Sequence, residues 1–126
     1  MKKYFTECGV AVLGGDHRQV IVAEAMLAQA AWVRTLGLTD LPRLPRLSPA
    51  TDLKAALTGA AVVILPISGA NDRALVKTSD PTVSVKIDAE FFALMEPHAL
   101  LVTGILPSNL KQMATARGVR VLEYGE

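Results

Sequence analysis

The chain of 126 residues lacks the sequence features of disulfide-linked, nucleic-acid-binding, membrane-spanning and secreted proteins. Its single cysteine, Cys8, excludes an internal disulfide and fits a reducing compartment such as the cytoplasm. Aromatic residues make up 5% of the sequence and the net charge is +1, so neither base stacking nor a basic surface indicates nucleic-acid binding. No apolar run approaches the ~18 residues of a membrane span, and residues 1–7 do not resemble a signal peptide.

The sequence also lacks the motifs of common catalytic and cofactor sites. Its first glycine turn is Gly14-Gly15-Asp16, not the Gly-x-Gly-x-x-Gly of dinucleotide-binding domains, and no phosphate-binding loop of the Gly-Lys-Ser/Thr kind occurs. His17 and His98 have no cysteine or carboxylate at metal-binding spacing, so no metal site is predicted. Once these motifs are excluded, the sequence indicates ligand binding but no particular reaction.

The sequence opens with an apolar run, a glycine turn and a helical pattern. Residues 8–13 are apolar and of strand length, and Gly14 and Gly15 then allow a sharp turn or a close approach to a ligand. Apolar residues recur at helical spacing over residues 17–30. This order is typical of the start of a βαβ unit.

The rest of the chain alternates between strand-like and helix-like segments. Further strands are predicted at 31–36, 60–65, 99–104 and 119–122, and further helices from Ser48-Pro49 to Gly59, over 89–95 after the cap Asp88, and from Pro107 to Gly118 with Leu110, Met113 and Ala114 inward. Residues 82–87 are expected to form an edge strand or a hairpin arm. The alternation predicts one α/β domain over residues 1–126, with a three-layer, doubly wound, mostly parallel five-stranded sheet of the flavodoxin-like or Rossmann-like kind.

Small and polar residues follow three of these strands. Doubly wound sheets bind ligands beyond the carboxyl ends of their strands, where the strand order reverses. Asp16 is expected to cap the first helix, and the N–H groups of that helix's first turn, together with Arg18, would attract an anion. Ser68, Asn71 and Thr103 could add neutral hydrogen bonds. These residues predict an anion-binding domain, with a βα turn that merely requires small residues as the alternative.

Three motifs occur in order along the chain: Gly14-Gly15-Asp16-His17-Arg18-Gln19, Ile64-Leu65-Pro66-Ile67-Ser68 and Val102-Thr103-Gly104-Ile105. Together they resemble the N-terminal domain of the dipicolinate synthase A subunit, and the likeness extends over residues 8–123. The Gly-Gly-Asp-x-Arg-Gln turn is the most specific of the three.

The resemblance implies an oxidoreductase that converts dihydrodipicolinate to dipicolinate with NADP, in the mother-cell cytoplasm of sporulating bacteria. The full-length protein of that family is similar to two-domain 2-hydroxyacid dehydrogenases, in which one domain faces the substrate and a second, Rossmann domain holds the dinucleotide. The second domain is absent from this sequence. We therefore expect a substrate-side N-terminal domain without a tightly bound cofactor and without full activity. The partners implied are the dipicolinate synthase B subunit and the C-terminal Rossmann domain, with a homo-oligomer left open.

The resemblance also assigns a substrate site at the cleft between the two domains. The residues expected to line it are Gly14, Gly15, Asp16, Arg18, Ser68, Thr103 and Gly104, with His17 as a weak catalytic candidate. Dipicolinate carries two carboxylates, which suits a guanidinium such as that of Arg18. Asp16 would orient Arg18, since it would repel an anionic substrate.

Two alternatives stay open. The first is a stand-alone α/β module that binds an anion or docks a partner without catalysis. The second is a nucleotide-binding domain with an altered glycine turn, for which Asp40 would be the acidic residue near the end of the second strand.

Overall fold

The computed structural model describes residues 8–124, and the expectation that residues 1–7 are not a signal peptide lies outside them. The strands are β1 (Gly9–Leu13), β2 (Trp32–Leu36), β3 (Leu47–Pro49), β4 (Ala60–Ile64), β5 (Leu75–Val76), β6 (Val85–Lys86), β7 (Leu100–Thr103) and β8 (Arg120–Glu123). The helices are α1 (His17–Met26), α2 (Leu53–Leu57), α3 (Ala89–Leu94) and α4 (Ser108–Arg117). None of these helices is long and apolar enough to cross a membrane.

Six strands form one parallel sheet in the order β3-β2-β1-β4-β7-β8. The chain builds outward from β1 through β2 to β3, then returns to the other side of β1 with β4, so the strand order reverses between β1 and β4. Strands β5 and β6 form a separate antiparallel pair, which makes residues 82–87 part of a hairpin arm as predicted. The predicted doubly wound α/β class is confirmed.

The two faces of the sheet bury different residues of the same strand. Val10 and Val12 of β1 pack in the cluster that contains Val20 and Ala23 of α1. Ala11 and Leu13 point to the other face, into the larger cluster, which takes Leu57, Phe91, Leu110 and other residues from α2, α3 and α4. Burial on both faces explains why the inner strands are continuous apolar runs rather than alternating ones.

The described residues contain one more strand in the main sheet than predicted. The prediction of a helix start at Ser48-Pro49 is wrong, because these residues belong to the edge strand β3. Proline is tolerated there, since an edge strand does not need every backbone N–H for the ladder. Helix α2 begins later, after Asp52, whose carboxylate accepts a hydrogen bond from the Ala55 backbone N–H at 2.8 Å.

Helix α1 ends at Met26, four residues before the predicted end. The Arg46 guanidinium donates to the carbonyl oxygens of Leu27 at 3.0 Å and Ala30 at 2.6 Å. Carbonyls at a helix C-terminus lack partners within the helix, and a cation beside them is favourable. Arg46 therefore stabilises the exit from α1.

The later helix boundaries agree better with the sequence. Asp88 caps α3 by accepting from the Phe91 N–H at 3.0 Å, and Gly118 ends α4 with φ of +86°. In α4, Leu110 and Ala114 are buried, but the prediction that Met113 faces inward is wrong because its side chain is 38% exposed. The buried stripe of this helix is narrower than its apolar composition suggests.

Candidate functional site

A cleft of about 220 Å³ opens at the carboxyl ends of β1 and β4, where the strand order reverses. Ligands of doubly wound sheets bind at this position. Five segments meet there: the turn after β1, the first two turns of α1, the segment after β4, the loop after β5 and the residue after β8. The lining residues are Gly15, Asp16, Arg18, Gln19, Val22, Pro66, Ile67, Ser68, Lys77 and Tyr124.

The structure brings part of the predicted substrate site together. Of the predicted substrate-binding residues, the cleft is lined by Gly15, Asp16, Arg18 and Ser68. Gly14, Thr103 and Gly104 lie outside the lining, and so does the exposed His17. Asn71 lines a neighbouring cleft. Substrate binding by these residues, and catalysis by His17, stay predictions.

Asp16 holds Arg18 in two ways at the N-terminus of α1. Its Oδ1 accepts a hydrogen bond from the Arg18 backbone N–H at 2.9 Å, which is the predicted helix cap. The same carboxylate accepts from Arg18 Nε at 3.1 Å and from Nη2 at 2.9 Å. These bonds occupy the side edge of the guanidinium. The end edge, formed by Nη1 and Nη2, keeps two N–H groups with which it can hold another carboxylate.

The N-terminus of α1 is less open to an anion than the sequence predicts. The Arg18 N–H is bonded to the Asp16 carboxylate, and the Gln19 N–H is bonded to the Asp16 carbonyl at 2.9 Å. A carboxylate of the chain itself therefore stands where an external anion would meet the helix dipole. The Arg18 side chain keeps its end edge available to an external anion.

The Arg18 side chain lowers the pKa of Asp16 from 3.8 to about 2. Its hydrogen bonds are the largest cause, the bond from the Arg18 backbone N–H comes next, and the charges of Arg18 and Lys77 add to them. The same pairing raises the pKa of Arg18. At neutral pH the cleft thus carries one carboxylate and two cations, a net positive charge that favours anionic ligands.

Burial raises the pKa of the Tyr124 phenol above 10.0. A tyrosine phenol is neutral at pH 7, and burial favours this form further, so Tyr124 offers a hydroxyl that can donate a hydrogen bond to a ligand in the cleft. Its position depends on the sheet, because its backbone N–H donates to the Thr103 carbonyl at 2.9 Å and so extends the pairing of β7 with β8.

The glycine turn after β1 is packed against a loop of the same chain. The Gly15 N–H donates to the Lys77 carbonyl at 2.5 Å, and Ser79 Oγ donates to the Gly15 carbonyl at 2.8 Å. Gly14 and Gly15 have φ values of +65° and +94°, and a Cβ on Gly14 would lie 2.6 Å from the Lys77 carbonyl oxygen. The close approach that glycine allows here is to residues 77–79, at the wall of the cleft.

We call residues 77–80 the strap. Besides its bonds to Gly15, the strap is fixed to the end of β2, since the N–H groups of Ser79 and Asp80 donate to the Gly37 carbonyl at 2.9 and 3.1 Å. The strap therefore covers the carboxyl ends of both β1 and β2.

Gln19 lies at the carboxyl ends of the paired strands β1 and β4. Its side chain is 4% exposed, and its Nε2 donates to the carbonyl oxygens of Leu13 at 3.2 Å and Ile64 at 3.3 Å. These residues end β1 and β4, so one amide group bridges the two strands where the order reverses. A Cβ on Gly15 would overlap the Gln19 side chain. The floor of the cleft is thus a hydrogen-bonded side chain.

Gly104 shapes the wall of the cleft without lining it. Its N–H donates to the Pro66 carbonyl at 3.2 Å, and a Cβ at this position would overlap the Ile67 carbonyl oxygen. The preceding residue, Thr103, is fully buried, and its hydroxyl has no hydrogen-bond partner among residues 8–124. The contribution of Gly104 is to let the segment after β4 lie close to the end of β7.

Two exposed isoleucines stand beside the cleft. The side chains of Ile67 and Ile105 are 59% and 75% exposed. Their loops are joined, because the Ala70 N–H donates to the Ile105 carbonyl at 3.1 Å. Exposed apolar side chains on two joined loops suit contact with another protein surface.

Sequence reasoning missed Lys77, Tyr124 and the role of Gln19. Lys77 lies in a loop without periodicity, and Tyr124 reaches the cleft through the pairing of β8 with β7, so no local pattern indicates either. Gln19 did carry a signal, since it lies one helical turn before Ala23 on the buried side of α1. Within the described residues, no group of three or more histidine, cysteine, aspartate or glutamate side chains is placed to hold a metal ion.

Comparisons with known proteins assign the chain to a family. The family model for the N-terminal domain of the dipicolinate synthase A subunit matches residues 9–125. Solved structures of the dipicolinate synthase A subunit are similar as well: that from Bacillus halodurans has 21% identity and a TM-score of 0.77, and that from Bacillus subtilis has 20% and 0.79. They cover 91% and 94% of this chain, which spans only 39% and 40% of their length. No curated protein sequence matches.

The fold is also shared with dehydrogenases. A D-isomer specific 2-hydroxyacid dehydrogenase from Xanthobacter autotrophicus Py2, solved in complex with NADPH and MES, has 17% identity and a TM-score of 0.65. It covers 96% of this chain, which spans 50% of its length. At these identities the structural likenesses show the fold alone.

Proposed function

The chain belongs to the family of N-terminal domains of the dipicolinate synthase A subunit, and from this premise we propose that it is the substrate-side domain of an oxidoreductase that forms dipicolinate. In this proposal the whole enzyme oxidises dihydrodipicolinate with NADP during sporulation, in the cytoplasm. This chain supplies the groups that bind and orient the substrate.

One observation carries the proposal: Arg18 lines the cleft with the end edge of its guanidinium free, while Asp16 fixes the side edge. A guanidinium held in place loses less rotamer freedom when it binds a planar carboxylate, which favours affinity and a defined orientation. Asp16 is therefore a positioning residue. Ser68 and the neutral Tyr124 can donate further hydrogen bonds to the ligand.

The residues of this chain do not fit a dinucleotide. A dinucleotide needs an open glycine turn at the end of β1 and space at the ends of β1 and β2. Here the strap lies against Gly14 and Gly15 and against the end of β2, and the Gln19 side chain occupies the carboxyl ends of β1 and β4. These contacts disfavour the nucleotide-binding alternative with Asp40. The proposal therefore assigns NADP to the C-terminal domain of the full-length enzyme.

The proposed partners are that C-terminal domain, the dipicolinate synthase B subunit and, in a homo-oligomer, further copies of the same protein. Ile67 and Ile105 would belong to such a contact, since both are exposed apolar residues on loops that are hydrogen-bonded to each other. A second candidate function rests on the same pair: a module that docks a partner without catalysis.

An amide NMR titration of this chain, with dipicolinate and with NADPH in separate samples, tests the proposal. Dipicolinate should shift the amide signals of Gly15, Asp16 and Ser68, and Arg18→Met should remove most of the effect. The matched control is Arg73→Met, an exposed arginine outside the cleft. NADPH-induced shifts in the glycine turn would contradict the proposal. If neither compound shifts a signal, the docking module becomes the better description.

A further inference from the structure

We propose that Lys77 binds a second carboxylate of the ligand and so makes the cleft selective for dicarboxylates over monocarboxylates. The inference rests on the proposed function, because it concerns the same cleft and the same substrate. It adds a specificity-determining residue that lies outside the three motifs that carry the family likeness.

The first step is that the backbone of Lys77 is held by hydrogen bonds while its ammonium group has no hydrogen-bond or ion-pair partner in the described part of the chain. Its carbonyl accepts from the Gly15 N–H at 2.5 Å, and the strap that begins with it is fixed to Gly37. Its side chain is exposed, and its ammonium makes no hydrogen bond or ion pair with any residue of the described part of the chain. A lysine with a rigid base and an unpaired charge is available to a ligand.

The second step is that the two cations of the cleft, Arg18 and Lys77, differ in the hydrogen-bond donors that stay free for a ligand. Asp16 neutralises Arg18 in part and occupies one edge of it, so Arg18 can take one carboxylate through its end edge. Lys77 forms no hydrogen bond or ion pair with Asp16, although its charge lowers the pKa of that carboxyl, and its ammonium acts as a point charge that tolerates several directions of approach. The Arg18 site is directional and the Lys77 site is not. This difference suits a ligand whose first carboxylate binds Arg18 and sets the orientation.

The third step is that Lys77 lies between two clefts. A neighbouring cleft of about 360 Å³ shares Ser68 and Lys77 with the first one. Arg18, Ser68 and Lys77 also line the same first cleft, so a ligand anchored on Arg18 occupies a cleft that Lys77 borders. The two adjoining clefts offer room for a single ring with two carboxylates.

The test compares two ligands that differ by one carboxylate: dipicolinate, which is pyridine-2,6-dicarboxylate, and pyridine-2-carboxylate. Their dissociation constants are measured by NMR titration of the wild-type chain and of Lys77→Met. We expect Lys77→Met to weaken binding of the dicarboxylate roughly three- to tenfold, as for loss of a partly exposed charged contact, and to change binding of the monocarboxylate less than about twofold. Lys77→Arg should restore most of the difference.

Lys86→Met is the matched control, because Lys86 is an exposed lysine of the same hairpin that does not line the cleft. It should leave both dissociation constants unchanged. If Lys77→Met weakens both ligands equally, or neither, the inference is wrong while the proposed function stands. If the wild-type chain binds neither compound, the proposed function and this inference fail together.

Discussion

Replacing Gln19 by leucine should destabilise the domain, although leucine is the more hydrophobic residue. The Gln19 amide donates two hydrogen bonds, to the carbonyls that end β1 and β4, and its side chain is 4% exposed. Each lost bond to a buried acceptor costs about 1–3 kcal/mol, and the gain in apolar burial returns roughly 1 kcal/mol. With two bonds lost, the free energy of unfolding should therefore fall by about 1–5 kcal/mol.

A thermal melt measures this loss. For a domain of this size 1 kcal/mol corresponds to about 4 °C, so Gln19→Leu should lower Tm by roughly 4–20 °C. The control is Gln112→Leu, an exposed glutamine on α4. It should change stability by less than about 0.5 kcal/mol. If Gln19→Leu melts at the same temperature as Gln112→Leu, Gln19 does not bridge the ends of β1 and β4.

Two further predictions concern the residues around the cleft. By carbon NMR, Asp16 should titrate near pH 2; the stabilisation it gains from Arg18 is complete above the ordinary pKa of 3.8 and is lost as the pH falls through about 2. Arg18→Met should return that pKa toward 3.8, and an unchanged value would disprove the assigned cause. Gly104→Ala should lower the free energy of unfolding by roughly 1–3 kcal/mol or more, because its Cβ overlaps the Ile67 carbonyl; a melt like that of the wild type would contradict this packing.

The sequence predicts the fold well where the signal is local. The apolar run, glycine turn and helical pattern at the start give β1 and α1, and the buried run after Gly59 gives the central strand β4. The edge strand β3 was missed because Ser48-Pro49 has the residues of a helix start as well as those of an edge strand. Only pairing with β2 decides between the two, and that pairing is a long-range contact.

In the candidate site too, the sequence predicts local contacts and misses long-range ones. Asp16 and Arg18 lie two residues apart, so their pairing can be predicted from the sequence, and the structure confirms that Asp16 caps the helix and holds Arg18. Lys77 reaches the cleft because the strap folds back onto Gly15. Nothing in the residues around Lys77 indicates that contact. Predicting it requires knowing first that β5 and β6 pair apart from the main sheet.

Gly104 shows that a motif does not reveal the packing role of its glycine. Its position after β7 indicates that some group approaches the backbone closely, and in the structure that group is the Ile67 carbonyl; substrate binding by Gly104 stays a prediction. A glycine signals close approach without saying what approaches. The distinction needs the coordinates of the segment after β4.

The central claim is that a carboxylate of the substrate binds Arg18 while Asp16 keeps it in place. A crystal structure of this chain with dipicolinate tests it most directly. We predict one carboxylate on Nη1 and Nη2 of Arg18, with the bonds from Nε and Nη2 to Asp16 preserved. A ligand carboxylate that displaces Asp16 from Arg18, or dipicolinate bound away from the cleft, would contradict it.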